Sequence, residues 1–178
     1  MKFIRPMSIA VMVLVTLMLA STAKADPVTF VATLSGAAER PNPVNSPATG
    51  FVTLTIDGTQ LTLTGNFSGL TAPATAAHIH GLANANAAAG VLVDFGSVLP
   101  RAVSGSFSTT ITLTAAQAAN VNLANFHAGL LYFNIHNANN PGGEIRGQFT
   151  AIPEPATLLL MGTGLASFAA ARRRRKTS

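Results

Sequence analysis

Residues able to bind a metal ion are concentrated in two short stretches of this sequence. The first is His78-Ile79-His80-Gly81, in which one apolar residue separates two histidines. The second is residues 132–148, YFNIHNANNPGGEIRGQ, whose polar candidates are Asn134, His136, Glu144 and Arg146. Three imidazoles and a carboxylate are ligands that Zn²⁺ and Cu²⁺ prefer. The sequence therefore offers a transition-metal site formed by His78, His80, His136 and Glu144.

A hydrogen-bonded structural cluster is the alternative for these side chains, and it is the interpretation that the sequence favours. In that arrangement they tie a hairpin to a neighbouring strand, with Asn134 and Arg146 as further members. Burial of such groups requires mutual pairing, and a pair between Arg146 and a carboxylate is then structural. If a metal does bind, Glu144 is either a ligand or the group that orients His136. We expect His127 at the surface.

Two strands and a turn are predicted for the second stretch. Residues 130–136 and 144–150 alternate between apolar and polar side chains, as strands with one buried face do. Residues 137–143 contain two glycines, a proline and several asparagines, which is typical of a turn. The polar face of this hairpin would carry Asn134, His136, Glu144 and Arg146. Two residues apart on their own strand, His78 and His80 would project from one face.

Short alternating segments account for most of the remaining chain, separated by turn signals such as Asp57-Gly58. The predicted strands are residues 28–34, 51–56, 61–67, 76–80, 91–95 and 105–113. Residues 114–126 interrupt the alternation, and a capping box of Thr114 and Gln117 predicts one short helix there. About eight strands and one short helix predict an all-β antiparallel sandwich. Residues 26–151 would form this single domain.

The first 25 residues have the form of a secretory signal. Lys2 and Arg5 precede an apolar run, and Ala23-Lys24-Ala25 matches the rule of small residues at the cleavage site. Cleavage after Ala25 would make Asp26 the first residue of the mature protein. An uncleaved membrane anchor is the alternative, although the apolar run is short for a membrane span.

The last 27 residues, 152–178, form a second targeting segment. Pro153-Glu154-Pro155 precedes an apolar run, residues 156–171, and then a basic cluster, residues 172–176. The basic cluster is expected to stay in the cytoplasm, so that the domain lies outside. The order of these three features resembles the PEP-CTERM sorting signal of Gram-negative bacteria. The resemblance implies that the tail crosses the inner membrane transiently as a helix and that an exosortase removes it after export by the secretion machinery.

Charge and composition exclude several classes of function. Eight of the 11 basic residues lie in the two terminal segments, whereas the six acidic residues lie between them or in the Pro-Glu-Pro motif. The domain therefore lacks the basic surface that binds nucleic acid. There is no cysteine for disulfide or thiol chemistry. Since the sequence contains neither a G-x-S-x-G nucleophile elbow nor a glycosidase-like pair of acids, we expect a protein that is not an enzyme.

Several motifs together resemble the CHRD domain, a module named from chordin and also found in bacterial exported proteins. They are residues 34–39 (LSGAAE), 78–81 (HIHG), 131–136 (LYFNIH) and 143–147 (GEIRG). The resemblance covers residues 28–150. It departs from the family at residues 40–43, RPNP, where adjacent prolines are usual. It implies an immunoglobulin-like β-barrel or sandwich and no settled biochemical activity, and chordin's growth-factor partner is not carried over.

These features predict an exported, non-enzymatic protein of the bacterial cell envelope, outer surface or extracellular matrix. It would act in binding, adhesion or biofilm formation, with an exopolysaccharide or an envelope protein as partner. The alternative is a module that binds Zn or Cu through its histidines. The His-x-His stretch also loosely resembles the metal-binding strand of copper-zinc superoxide dismutase, which makes a superoxide-handling enzyme the third hypothesis.

Overall fold

A computed structural model describes residues 26–152, together with Thr163, Gly164, Phe168 and Arg172. The predicted signal peptide with Ala23 and Ala25, the Pro153-Glu154-Pro155 motif and most of the apolar tail lie outside the described residues. Within the described part of the chain, no helix is both long enough and apolar enough to cross a membrane.

Residues 26–152 contain nine strands, all joined in one antiparallel sheet. The strands are β1 (Val28–Ser35), β2 (Thr49–Asp57), β3 (Gln60–Ser68), β4 (Ala74–His80), β5 (Val91–Asp94), β6 (Gly105–Thr112), β7 (Tyr132–Asn137), β8 (Ile145–Gln148) and β9 (Thr150–Ala151). Their order in the sheet is β5-β4-β7-β8-β1-β2-β3-β6, and β9 pairs with β1. The prediction of an antiparallel all-β domain is confirmed.

The sheet curls around its apolar face into a half-barrel. Phe107 on β6, at one edge of the sheet, stacks on Phe133 of β7 with 5.9 Å between the ring centroids. These strands are far apart in the sheet order, so the contact requires the two halves of the sheet to face each other across the core. On β2 the alternation places Val52, Leu54 and Ile56 in that core.

The connection between β2 and β3 shows why the sequence folds as it does locally. Asp57 pairs with Gln60 across the turn, and Gly58 between them has a φ angle of +61°. Glycine adopts this conformation without the steric cost that a side chain brings. The Asp57-Gly58 prediction of a hairpin turn is therefore confirmed.

The helical segment predicted after β6 consists of two short helices, α1 (Ala115–Ala118) and α2 (Leu123–His127). Thr114 and Gln117 form the predicted capping box at the start of α1, and Asn122 caps α2. Phe126 of α2 stacks on Phe30 with 4.6 Å between the ring centroids, which fixes this segment against the core. A single 3₁₀ turn, Gly36–Ala38, follows β1.

Candidate metal centre

The three histidines of the two stretches lie on the face of β4 and β7 that points away from the core. Ile79 is completely buried in the core, so the alternation of β4 directs His78 and His80 to the opposite face. Strand β7 pairs with β4 and places Asn134 beside His78. His136 lies two residues further along β7 and shares that face. We call this surface of β4, β7 and β8 the outer face.

Each histidine offers one nitrogen that lies within 4.8 Å of the corresponding nitrogens of the other two. The ring centroids of His78 and His136 are 4.7 Å apart, and those of His78 and His80 are 5.3 Å apart. Two nitrogens bound to one zinc ion at about 2.1 Å lie at most about 4.2 Å from each other. Because the nitrogens are up to 4.8 Å apart, the imidazoles would have to move closer to one another to bind a single ion.

Backbone carbonyl groups determine which nitrogen of His80 and His136 carries hydrogen. Nδ1 of His80 lies 2.9 Å from the carbonyl oxygen of Ala89, and Nδ1 of His136 lies 2.9 Å from that of Pro141. A carbonyl oxygen only accepts hydrogen bonds, so both Nδ1 atoms must donate. In each neutral ring the lone pair is then on Nε2, which is the atom available to a metal ion.

His78 is placed between two acceptors. Its Nδ1 lies 2.9 Å from Nε2 of His136, and its Nε2 lies 3.5 Å from Oδ1 of Asp94. A neutral imidazole has one N–H, so either the lone pairs of the two histidines face each other or a lone pair faces the carboxylate. A metal ion between the imidazoles removes this conflict, because His78 Nε2–H then donates to Asp94. Metal-binding histidines almost always have such a partner.

Burial keeps all three imidazoles neutral at pH 7. It lowers the pKa of His78 and of His80 from 6.5, and it lowers the pKa of His136 to about 4. Asp94 opposes the shift at His78, and hydrogen bonding to Ala89 opposes it at His80. Neutral imidazole is the form that binds a metal, so the site needs no proton loss at physiological pH.

Residues 82–90 cross the outer face and accept hydrogen bonds from Arg146. Nη1 of Arg146 donates to the carbonyl oxygen of Ala87 at 2.9 Å, and Nη2 donates to that of Asn84 at 3.2 Å. The backbone N–H of Ala89 donates to the Tyr132 hydroxyl at 3.0 Å. These contacts position the Ala89 carbonyl, and therefore also the His80 ring.

Tyr132 joins His80 to Arg146. The imidazole of His80 is parallel to the Tyr132 ring, with 4.9 Å between the ring centroids. The guanidinium carbon of Arg146 lies 3.5 Å from the centre of the same ring, a cation–π contact. Arg146 thus contacts an aromatic ring and main-chain oxygens, whereas the prediction paired it with a carboxylate.

The structure does not bring Glu144 to the histidines, contrary to the prediction. Its fully buried carboxylate accepts hydrogen bonds from the hydroxyl of Ser46, the backbone and hydroxyl of Thr71, and the amide of Asn137. Strand β8 begins at Ile145, so its alternation does not extend to Glu144. The carboxylate instead lies with Asn137, which the alternation of β7 places on the face opposite His136.

Glu39 also lies at the outer face, although it was not among the site residues predicted from the sequence. Its side chain, which follows the 3₁₀ turn, is only 3 % exposed. A Cβ built at Gly143 would lie 2.5 Å from Oε1 of Glu39 and 2.6 Å from Nδ2 of Asn134, so these two side chains are neighbours. Burial raises the pKa of Glu39 to about 7, although the charge of Arg146 opposes the shift. A lone glutamate in the LSGAAE motif was the signal available.

Comparison with known proteins identifies two segments of the chain. The family model of the CHRD domain matches residues 30–149, which is more than half of the chain. The model of the PEP-CTERM protein-sorting motif matches residues 151–175. None of the curated proteins matches the chain significantly.

Proposed function

The chain belongs to the CHRD domain family, and we propose that its domain binds one transition-metal ion through His78, His80 and His136. The sorting motif indicates export across the inner membrane toward the envelope or cell surface. We expect the exported domain to bind rather than to catalyse, in contact with an exopolysaccharide or an envelope protein and with an exosortase acting on its tail.

One observation supports metal binding above all others. One nitrogen of each histidine lies near the corresponding nitrogens of the other two, and a neutral imidazole can direct a lone pair from it to a metal ion. The second nitrogen of each ring faces an acceptor, which is a main-chain carbonyl for His80 and His136 and the Asp94 carboxylate for His78. A purely structural cluster would be expected to pair donors with acceptors. Here an N–H on Nδ1 of His78 can pair with Nε2 of His136, but the lone pair on Nε2 of His78 then faces the Asp94 carboxylate.

The ligand set favours zinc or copper. Imidazole nitrogens suit both metals, and at equal ligation Cu²⁺ binds more tightly than Zn²⁺. Three histidines also match the number of protein ligands found in zinc sites that keep a further coordination position. We therefore expect both ions to bind with a stoichiometry of one, and copper to displace zinc.

Metal titration of the full chain tests this proposal. The protein would be produced without a polyhistidine tag, kept in detergent, and titrated with Zn²⁺ and Cu²⁺ by calorimetry. The wild type should bind one equivalent, and His136→Ala should bind neither ion tightly. His127→Ala is the matched control, because His127 is exposed on α2 as predicted.

Circular dichroism separates a metal role from a structural one. A folded His136→Ala protein that has lost the ion supports the proposal. A wild type that binds no metal, together with an unfolded His136→Ala variant, would establish the histidines as a structural clasp instead.

A further inference from the structure

Three buried acceptors belong to neighbouring side chains beside the histidine cluster. In residues 26–152, the buried side-chain atoms without a hydrogen-bond partner are Oε1 of Glu39, Nε2 of His80 and Oδ1 of Asn134. All three side chains are more than nine-tenths buried. A buried polar atom without a partner is destabilising, so finding all three on neighbouring side chains indicates a common missing donor.

Asn134 connects the other two residues. Burial lowers the pKa of the His80 imidazole and raises that of the Glu39 carboxyl, and the Asn134 side chain opposes both shifts through polar contact with each group, although neither contact has the geometry of a full hydrogen bond. Gly143 lies against both Glu39 and Asn134, and its φ angle of +124° admits no ordinary side chain. A Cβ at this position would overlap both side chains, so glycine is required for Glu39 and Asn134 to approach each other here.

The chemistry of the three atoms defines what fits among them. The Nε2 atom of His80 is an acceptor because Nδ1 donates to Ala89. The metal ion proposed above would satisfy that nitrogen, but not the oxygens of Asn134 and Glu39. Those oxygens require a hydrogen-bond donor. A water molecule bound to the ion could donate to both oxygens, and it would then have three polar partners, within the two to four that a buried water needs.

We propose that the metal ion keeps a fourth coordination position for one small neutral hydrogen-bond donor, normally water, which donates to Asn134 and Glu39. The inference rests on the proposed metal binding. It adds a preference of the ion for a further ligand that donates hydrogen bonds, which three histidines alone do not give. Two acceptor oxygens beside the fourth position favour water and disfavour ligands that only accept, such as azide.

A competing arrangement satisfies the same atoms without water. If the Asn134 amide is turned over, its Nδ2 donates to His80 and its Oδ1 accepts from a protonated Glu39. This arrangement uses His80 Nε2 as an acceptor of a hydrogen bond and removes it as a metal ligand. The two arrangements therefore differ in whether His80 Nε2 is a metal ligand and in whether a water molecule donates to Asn134 and Glu39.

Pulsed electron paramagnetic resonance of the copper-loaded full chain distinguishes them. In detergent and ¹⁷O-enriched water, at a pH above the pKa of Glu39, the wild type should show an ¹⁷O coupling from water on the ion. Azide should bind weakly, and Glu39→Gln, which replaces an acceptor with an amide donor, should strengthen azide binding roughly tenfold, as expected for one charge-assisted contact. Asp26→Asn, a change of the same kind at the exposed start of the domain, should leave azide binding unchanged.

Each result has one meaning. Copper binding with an ¹⁷O coupling and an azide response specific to Glu39→Gln supports the fourth position. Copper binding without the ¹⁷O coupling in the wild type overturns this inference, while the proposed binding of a metal ion stands. Failure of the wild type to bind copper overturns both.

Discussion

Replacement of Glu39 by glutamine should stabilise the metal-free protein at alkaline pH and much less at acid pH. Burial raises the pKa of Glu39 from 4.5 to about 7, so the folded state holds this proton over a pH range in which the unfolded state has lost it. Folding stability is then highest below the unfolded pKa and falls as pH rises through the folded one. Glutamine resembles the protonated carboxyl and removes this dependence.

The size of the effect follows from the two pKa values. A shift from 4.5 to about 7 corresponds to about 3 kcal/mol at about 1.4 kcal/mol per pH unit. The buried histidines act in the opposite direction, because their lowered pKa values make the folded state lose stability as pH falls. They are the same in both proteins, so their contribution cancels in the difference between variant and wild type.

Urea denaturation with a chelator present measures this difference. The unfolding free energy of Glu39→Gln relative to wild type should rise by about 3 kcal/mol between about pH 4.5 and pH 8. Asp26→Asn should show no such rise. A difference that does not change with pH would refute the assignment of Glu39 as a buried carboxyl that becomes charged near neutrality.

Three further predictions concern the histidines and the buried carboxylate. Asp94→Ala should weaken zinc binding roughly 10–100-fold in calorimetry, because Asp94 orients His78; an affinity equal to that of wild type would mean that Asp94 has no such role. Zinc affinity should persist to a lower pH than the usual histidine pKa of about 6.5 would allow, because burial lowers the pKa of the three imidazoles. Release of zinc near the usual pKa would contradict this. Glu144→Leu should lower the unfolding free energy by roughly 3 kcal/mol or more, since several donors lose their acceptor, yet the protein that remains folded should still bind one zinc ion. Loss of zinc from that folded fraction would place Glu144 in the metal site.

The sequence predicted well those features that depend on alternation within one strand. Ile79 between His78 and His80 is a local signal, and the structure places the two histidines on the outer face as expected. The same holds for the Asp57-Gly58 turn and for the capping box at Thr114, which depend on residues two or three positions apart.

Contacts between distant segments were less accessible to sequence reasoning. Glu144 was predicted as the first residue of a strand, but β8 begins one residue later and the side chain turns to the other face. Glu39 enters the outer face from the connection after β1, and no periodic pattern indicates where such a connection folds back. The pairing of His78 with His136 depends on the register between β4 and β7, which local alternation does not determine.

The separation of the ligands along the chain links metal supply to protein lifetime. His78 and His136 are 58 residues apart, so they meet only once β4 and β7 have paired. An ion that binds the folded chain alone raises its stability by about 2.7 kcal/mol when free metal exceeds the dissociation constant about 100-fold. If the protein binds the proposed ion after export across the inner membrane, scarcity of zinc or copper would expose its transiently unfolded chains to proteases and shorten its survival, and its abundance would report the metal content of its surroundings.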